Sequence, residues 1–459
     1  MKKRRKFIMA SSAKDLKKTL GRMNLMSMAV GQIIGSGVMV MSIVALGMTG
    51  RSVNIAFVVA AVLTCIGALP TIFMGSTIRV YGGFYSQAAI FVGDKYAGFY
   101  AVTYIFSNCS MAMYATGLAL YLGSLIPAVA QNQVITSVVI FVAFLVLNYF
   151  GTEKIAKVQD FMFYLLVAAL LMFTIFGVPK VQWGGYFGNE LFGAPLFTNG
   201  VSGLLEAASY LTFATGGATI ILNFSAEAIN PTKDIPFVVI VSTVSVAVLY
   251  AFMASCIGGI IPADEVIAAG NLSVIAKQIM PTPCYYFFMI CGACFALGTT
   301  LNASLGWVTK PLLQATADGW FPAGLAKLNK AGVPYVWLTI FGVVNILAIV
   351  SGMNISMLGK LVLLIGNVNN FVLVYGIMKL PKLFPEAWAK SPFHVSDGAL
   401  KGCLVLSMAV LVMQAYMNCK GQAAWVLIAN AVMFVVAFVY SNVMVKSGKV
   451  HIQPSYDLD

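Results

Sequence analysis

The first residues that could do chemistry lie in a glycine-containing stretch, Gly31 to Val38 (GQIIGSGV), within an apolar run from Met23 to Thr49. That run is long enough to cross a membrane as a helix. The two glycines around Ser36 disfavour regular helix there, because glycine adds backbone freedom and removes side-chain packing. A helix that restarts after such a break presents unpaired N–H groups and partial positive charge, which suit a carboxylate. The alternative is close helix packing through the G-x-x-x-G spacing of Gly31 and Gly35.

A second break is predicted from Phe213 to Ala218 (FATGGA), where a double glycine interrupts another apolar run. If the first segment crosses from the cytoplasm outward, the helix before the second break ends at mid-membrane with unpaired carbonyls. Those carbonyls suit an ammonium group. An anion site facing a cation site matches a zwitterionic α-amino acid, and the same arrangement could hold another small ligand with an amine and an acid.

The composition indicates which kind of secondary structure positions these two breaks. The chain has 459 residues, of which 60% are hydrophobic and 9% are charged, with a mean hydropathy of +0.89. These values indicate a polytopic membrane protein and exclude a soluble domain of this length. We expect an all-α fold with twelve transmembrane helices. The eight cysteines lie mostly in apolar runs, and neither a metal site nor an organic cofactor is expected.

The distribution of basic residues predicts the orientation. With the N-terminus inside, 23 of the 28 Lys and Arg residues lie on the cytoplasmic side and 5 lie outside. Cytoplasmic loops carry such an excess, so we expect a multi-pass plasma-membrane protein with both termini in the cytoplasm. The net charge of +13 therefore reflects topology rather than binding to nucleic acid. The expected partners are a small-molecule substrate and the lipid bilayer, while the oligomeric state stays open.

The two breaks fall in the first helix of two successive five-segment blocks. Transporters built from inverted repeats place discontinuous helices at such corresponding positions. The sequence therefore predicts a five-plus-five inverted repeat with discontinuous helices one and six. The predicted parts are a cytoplasmic N-terminal tail (1–22), the first five-helix repeat (23–178), the second repeat (200–379), helices eleven and twelve (402–444) and a cytoplasmic C-terminal tail (445–459).

Several motifs, in this order, resemble the amino acid–polyamine–organocation transporter superfamily. The Gly31–Val38 stretch is similar to its first-helix motif, and Phe213 to Gly217 resembles the sixth helix of its L-type amino acid transporter branch. Residues 317–322 (ADGWFP) resemble the loop after helix eight, and residues 151–159 resemble the start of helix five in the arginine/agmatine antiporter branch. The resemblance implies transport by alternating access, with no enzymatic activity.

The resemblance also implies a substrate site. Backbone and hydroxyl groups of Ile33, Ser36 and Gly37 would meet the substrate carboxylate and amine. The carbonyls of Phe213, Ala214 and Gly216 would hold the ammonium, and Phe213 would be the aromatic gate. The full predicted substrate-binding set is Ile33, Ile34, Gly35, Ser36, Gly37, Asn108, Met111, Phe213, Ala214, Gly216, Gly217 and Ser304. Among the polar residues of segment ten, Asn367, Asn369 and Asn370 either gate the path or bond helices together.

The sequence leaves the energy coupling open. Many sodium-independent relatives carry a lysine in the membrane part of helix five, whereas residues 161–170 here contain none. Thr299, Thr300 and Ser304 form a possible sodium site, or bond back to their own helix. Glu206 is a possible proton or cation site, since an ionisable residue in a membrane helix is a functional hypothesis by default. We expect an exchanger or proton symporter. The alternatives are a sodium-coupled amino acid symporter and a non-transporting amino acid sensor with the same fold.

Overall fold

The computed structural model of the protein describes residues 11–35, 37–108, 111–188, 190–352, 355–419, 422–453 and 455–458. These residues fold mainly as helices. In the first half of the chain the α-helices are α1 Arg22–Ile33, α2 Ser42–Thr49, α3 Val53–Gly75, α4 Gly83–Gln87, α5 Asp94–Ser107, α6 Ala112–Gly123, α7 Pro127–Gln131, α8 Gln133–Asn148, α9 Thr152–Gly177, α10 Trp183–Tyr186 and α11 Gly200–Thr215.

In the second half the helices include two long C-terminal ones. They are α12 Pro231–Gly259, α13 Ala263–Ala269, α14 Ser273–Ile279, α15 Thr282–Phe287, α16 Phe295–Trp307, α17 Lys310–Ala317, α18 Tyr335–Val350, α19 Ile355–Ile377, α20 Leu380–Leu383, α21 Pro385–Lys390, α22 Asp397–Cys419 and α23 Ala424–Lys446. The strands are short pairs: β1 Arg79–Val80 with β4 Tyr456–Asp457, and β2 Glu190–Leu191 with β3 Ala194–Pro195.

Within the described residues, eight helical segments are long and apolar enough to cross a membrane. They are Ser42–Gly75, Asp94–Gly123, Thr152–Lys180, Gly200–Phe224, Pro231–Gly259, Thr282–Ala317, Asp397–Cys419 and Ala424–Lys446. Three shorter apolar helices accompany them, Gln133–Asn148, Tyr335–Val350 and Leu364–Ile377. The chain is thus a helical membrane protein, while the count of twelve passages and the repeat topology stay predictions. The last two helices begin at Asp397 and end at Lys446, a few residues beyond the predicted 402–444.

The break predicted near Ser36 is present in the first apolar segment. Helix α1 ends at Ile33, Ile34 has non-helical angles (φ −83°, ψ 78°), and helical structure resumes at Gly37 as a π-turn that leads into α2. A break at this depth requires partners for the freed carbonyls. Other helices supply them: Tyr250 of α12 donates to the Ile33 carbonyl at 3.2 Å, and Thr300 of α16 donates to the Gly31 carbonyl at 2.7 Å.

The second predicted break is also present. Helix α11 ends at Thr215, and a 3₁₀ segment resumes at Ala218 and runs to Phe224. Gly216 is extended (φ −76°, ψ 178°), and Gly217 has a φ of 114°, a conformation that L-residues with side chains rarely adopt. The double glycine therefore provides the turn that separates the two halves of this helix.

A buried ion pair joins the parts of the chain at one end of the bundle, which we call the N-terminal face because residues 11–20 pack there. Lys310 Nζ lies 2.8 Å from Glu227 Oε2, and the two side chains are 3% and 4% exposed. Thr152 donates a hydrogen bond to the other carboxylate oxygen of Glu227 at 2.5 Å. The pair connects the segment after the second break with α17 and the start of α9. The count of basic residues included Lys310 only as one of the 23 on the cytoplasmic side.

Both ends of the described chain close the N-terminal face. The amides of Thr19 and Leu20 donate to the Glu227 carbonyl at 2.9 Å each. The C-terminal strand β4 pairs antiparallel with β1, where Val80 lies opposite Tyr456. The described N- and C-terminal segments therefore lie at the same end of the bundle.

The buried carboxylate of Asp318 ties three of these segments together. It accepts hydrogen bonds from Tyr85 at 2.7 Å, Gln314 at 3.0 Å and the backbone amide of Gln453 at 3.3 Å. Burial raises the pKa of the Asp318 carboxyl from 3.8 to about 6, although these three donors act in the opposite direction. Asp318 thus links the short helix α4, the helix α17 and the C-terminal segment.

Replacing Asp318 with Asn is expected to remove part of the pH dependence of stability. Between pH 3.8 and about 6 the folded protein binds the Asp318 proton more tightly than the unfolded chain does. Asp318 therefore favours folding most at low pH, and this contribution, about 3 kcal/mol, is lost as the pH rises through 6. The melting temperature at pH 4.5, minus that at pH 7, should therefore be lower for Asp318→Asn than for the wild type. Equal differences in the two proteins would contradict this assignment.

Candidate functional site

A cavity of about 380 Å³ lies where the two helix breaks meet. Its described lining comes from α1, α3, α5, α6, α11, α12, α16, α19 and α22 and from both breaks. The lining residues are Gln32, Ile33, Gly35, Gly37, Leu63, Thr64, Gly67, Ala68, Ser107, Asn108, Met111, Tyr114, Ser209, Tyr210, Thr212, Phe213, Gly216, Gly217, Ala218, Thr219, Ile220, Thr243, Thr300, Ser304, Trp307, Gly366, Asn367, Asn370, Val410, Leu411, Gln414 and Asn418.

The two breaks touch each other directly. A Cβ atom on Gly37 would lie 2.7 Å from both Cα and Cβ of Ala214, and a Cβ on Gly217 would lie 3.0 Å from the carbonyl oxygen of Gln32. The contact at Gly37 is too short for a side chain to fit without a shift of the neighbouring chain, and at Gly217 the contact is tight and the positive φ already disfavours a side chain. Glycine at these two positions therefore lets the chain cross itself at the edge of the cavity.

The helix ends at this crossing have opposite polarity. The first amides of the segment that restarts at Gly37 lack acceptors within their own helix, and the last carbonyls of α11, from Phe213 to Thr215, lack donors within theirs. The first group carries partial positive charge and the second partial negative charge. Because Gly37 and Phe213 both line the cavity, a small ligand there can meet both kinds of helix end.

The described part of the lining has no formal charge. None of its described residues is Asp, Glu, Lys, Arg or His, and half of the 32 carry an uncharged amide or hydroxyl group. Glu206, predicted as a proton or cation site, lies half-buried on α11 and outside this lining. The electrostatic character of the cavity thus comes from helix ends and neutral dipoles.

The threonines predicted as a sodium site contact the first break. Thr300 donates to the carbonyl of Gly31 at 2.7 Å and lies 3.5 Å from that of Ile34, while Thr299 lies 3.4 Å from the Gly31 carbonyl. Both hydroxyls also bond back to their own helix. Ser304 does not join this cluster, since it donates to Gln32 instead, at 3.2 Å.

The structure brings together most of the predicted substrate-binding set. The members that line the cavity are Ile33, Gly35, Gly37, Asn108, Met111, Phe213, Gly216, Gly217 and Ser304, together with Thr300 of the predicted sodium site. Ile34, Ala214 and Thr299 are buried behind this surface. Ser36 lies outside the described residues.

Sequence reasoning missed Gln32, which lies on the last turn of α1. Its side-chain oxygen accepts hydrogen bonds from Ser304 and from the indole N–H of Trp307, both at 3.2 Å. All three residues line the cavity, so Gln32 fixes the indole ring that forms part of its wall. A polar residue directly before a predicted break was the one available signal.

Replacing Gln32 with Leu is expected to weaken substrate binding by about ten-fold, because two donors lose their acceptor and the Trp307 ring loses its anchor. Gln32→Glu keeps an oxygen acceptor and should retain more affinity than the leucine variant. Affinity for the best-bound labelled amino acid, measured on purified protein, checks this order. Equal affinities for the two variants would show that the hydrogen bonds are not needed.

Sequence reasoning gave no role to Gln159, because it searched helix five for a lysine and only over residues 161–170. Gln159 is fully buried on α9. Its amide donates to the Ser27 carbonyl at 3.2 Å, and its oxygen accepts from Asn302 at 2.9 Å. A side chain on Gly31 would collide with it. A neutral amide therefore bridges α1 and α16 beside the first break.

Comparison with known proteins gives one family and several relatives. Residues 20–450 match the family model described as amino acid permease. The branched-chain amino acid permease BcaP of Bacillus subtilis is 25% identical over 398 residues, covering 82% of this chain and 83% of the relative. The methylthioribose transporter of the same organism is 23% identical over 84% of this chain and 85% of the relative. The S-adenosylmethionine permease GAP4 of Candida albicans is 24% identical over 74% of this chain and 58% of the relative.

Proposed function

This chain belongs to the amino acid permease family, and from that premise we propose that it carries amino acids or related amines across the plasma membrane by alternating access. Family membership makes it a membrane transporter of small molecules rather than an enzyme. The proposal adds a secondary active mechanism, the cell membrane and a specific binding site.

One observation carries the proposal: the two helix breaks touch at a cavity that has both kinds of helix end on its wall. Gly37, at the start of one half-helix, lies against Ala214, near the end of another. A carboxylate fits the first and an ammonium fits the second. The volume, about 380 Å³, lies at the lower end of the range for small-molecule sites, which suits a single amino acid.

The proposed mechanism uses two five-helix repeats, residues 23–178 and 200–379, within a twelve-helix bundle. Substrate binds between the breaks, Phe213 closes over it, and the repeats rock to open the opposite face. Both termini are proposed to be cytoplasmic. The shared location of residues 11–20 and 455–458 on the N-terminal face supports that arrangement.

The proposed coupling is exchange or proton symport, and a sodium-coupled symporter is the second candidate. The oxygen cluster beside the first break favours the second candidate: two carbonyls, of Gly31 and Ile34, lie within 3.5 Å of the Thr300 hydroxyl. Carbonyl and hydroxyl oxygens of this kind suit a small monovalent cation when they turn toward it. A sensor with this fold would bind the same ligand without moving it.

Uptake into proteoliposomes separates these possibilities. Labelled amino acids are offered to empty and substrate-loaded vesicles, with and without sodium and a proton gradient. Uptake into loaded vesicles alone identifies an exchanger, and uptake into empty vesicles identifies the driving ion. Binding without uptake identifies a sensor. If no amino acid or amine binds or moves under any condition, the proposed function is wrong.

Variants of Thr300 sharpen the test for sodium. If sodium drives uptake, Thr300→Val should abolish its stimulation, because the hydroxyl oxygen is lost, whereas Thr300→Ser should keep it. If protons or exchange drive uptake, neither variant should change the response to sodium.

A further inference from the structure

We propose that the cavity selects amino acids whose side chain is uncharged and bears an amide or hydroxyl group, and that Asn367 of α19 is the residue that determines this specificity. The inference rests on the proposed function, because it names the substrate class of the same site. Two features carry it: the absence of formal charge from the described lining and the presence of buried donors without acceptors.

The uncharged lining excludes ionic side chains. A lysine, arginine, aspartate or glutamate substrate would bring a third charge, beyond the zwitterion whose two charges the helix ends meet. An isolated charge away from water is strongly disfavoured unless it is paired. The described lining residues offer no ionic partner, while six amide and ten hydroxyl side chains offer neutral ones.

Two asparagines of segment ten, Asn369 and Asn367, differ in their hydrogen bonding. Asn369 is buried and paired, since its amide donates to Thr103 at 2.9 Å and its oxygen accepts from Tyr96 at 3.2 Å. Asn369 therefore joins helices and does not line the cavity. Asn367 does line it, and its buried Nδ2 atom has no hydrogen-bond partner within the described part of the chain.

Two other buried donors on the same cavity lack partners. The hydroxyls of Ser209 on α11 and Thr243 on α12 make no hydrogen bond to any described residue, and these side chains are only 2% and 3% exposed. Native proteins rarely leave buried donors unpaired without a functional reason. Asn108, by contrast, already donates to the Tyr104 carbonyl at 2.8 Å. The free amide on the α19 wall is thus the donor positioned for a ligand.

This chemistry separates the protein from a carrier of branched-chain amino acids. A leucine or valine side chain would cover Asn367 and supply no acceptor, so the amide would remain unsatisfied in the complex. A side-chain carbonyl of glutamine or asparagine, or a hydroxyl of serine or threonine, accepts the hydrogen bond. A site with such a donor discriminates against ligands that lack the matching group.

The test measures dissociation constants on the purified full chain by ligand-induced shifts in melting temperature. The panel contains glutamine, asparagine, serine, threonine, leucine, valine, lysine and glutamate. We expect at least one of the first four to bind about ten-fold more tightly than leucine. The identity of that ligand shows whether the site prefers an amide or a hydroxyl as the acceptor.

Two variants of Asn367 test the assigned residue. Asn367→Leu should lower the affinity for the preferred polar ligand by about ten-fold while leucine binds at least as well as before. Asn367→Asp keeps the shape but replaces the donor with a carboxylate, which accepts from a ligand amide or hydroxyl and pairs with an ammonium, so lysine should gain affinity relative to the polar ligands. Asn442→Leu on α23, an amide outside the cavity, is the matched control and should change no affinity ratio.

The outcomes distinguish this inference from the proposed function. If leucine, valine or a charged amino acid binds most tightly to the wild type, the inference is wrong and the transporter assignment stands. An unchanged ratio of polar to leucine affinity in both Asn367 variants would show that Asn367 does not determine the specificity. If no amino acid binds the wild type, the proposed function itself is overturned.

Discussion

A methyl group on residue 37 is expected to reduce transport by about 100-fold or more. In Gly37→Ala the new Cβ atom would lie 2.7 Å from Cα and Cβ of Ala214 and 3.2 Å from its carbonyl oxygen. The neighbouring atoms are mostly backbone and have no rotamer that relieves the contact. The half-helix that starts at Gly37 must therefore move away from α11, and a shift of about 1 Å in a binding site can cost a factor of 100.

Two other glycines provide matched controls for this experiment. Gly67 and Gly366 line the same cavity, yet a Cβ atom on either would have no neighbour within 4 Å among the residues that the structure describes. Gly67→Ala and Gly366→Ala should therefore keep most of the uptake. The measurement is initial uptake into vesicles, normalised to the amount of folded protein in the membrane. Comparable activity of all three variants would show that the contact between the breaks is not required.

Loss of the Lys310 ammonium is expected to give the largest drop in stability of any single substitution on the N-terminal face. Lys310→Met leaves the Glu227 carboxylate buried, with only the hydroxyl of Thr152 as a side-chain partner among the described residues. Removing one member of a buried ion pair typically costs about 3–5 kcal/mol, because the other charge stays in a low-dielectric environment.

A double-mutant cycle shows whether this cost comes from the unpaired charge. Adding Glu227→Gln to Lys310→Met removes the buried charge and keeps an acceptor for Thr152, so the double variant should be more stable than Lys310→Met alone. Lys157→Met is the matched control, because its partner Glu153 is exposed and one helical turn away; it should have little effect. Denaturant titration in detergent gives the free energies of unfolding, and additive losses would contradict the assignment.

The positions of the two breaks were predictable from sequence because paired glycines in an apolar run locally disfavour a regular helix. The contact between Gly37 and Ala214 was not, since it depends on how two helices distant in sequence cross. Gln32 and Gln159 were missed for a related reason: a glutamine in an apolar helix shows its role only when the neighbouring helices are known.

The roles of Lys310, Glu206 and Ser304 also could not be predicted from sequence alone. Lys310 was counted only among the basic residues of the cytoplasmic side, because the basic-residue rule counts charges and carries no information on burial. Glu206 was singled out by its charge, yet its position on the helix leaves it outside the cavity. Ser304 was grouped with Thr299 and Thr300 by spacing, whereas its bond to Gln32 depends on tertiary packing.

β1 can pair with β4 only after the ribosome has made almost the whole chain. Val80 pairs with Tyr456, which lies 376 positions later (456 minus 80). At roughly 5–20 residues per second, a ribosome needs about 20–75 s to make that stretch, and β1 keeps an open edge throughout. A chain terminated near residue 448 would lack β4, so β1 near its N-terminus would stay unpaired. Such an open strand edge is a feature that chaperones and proteases recognise.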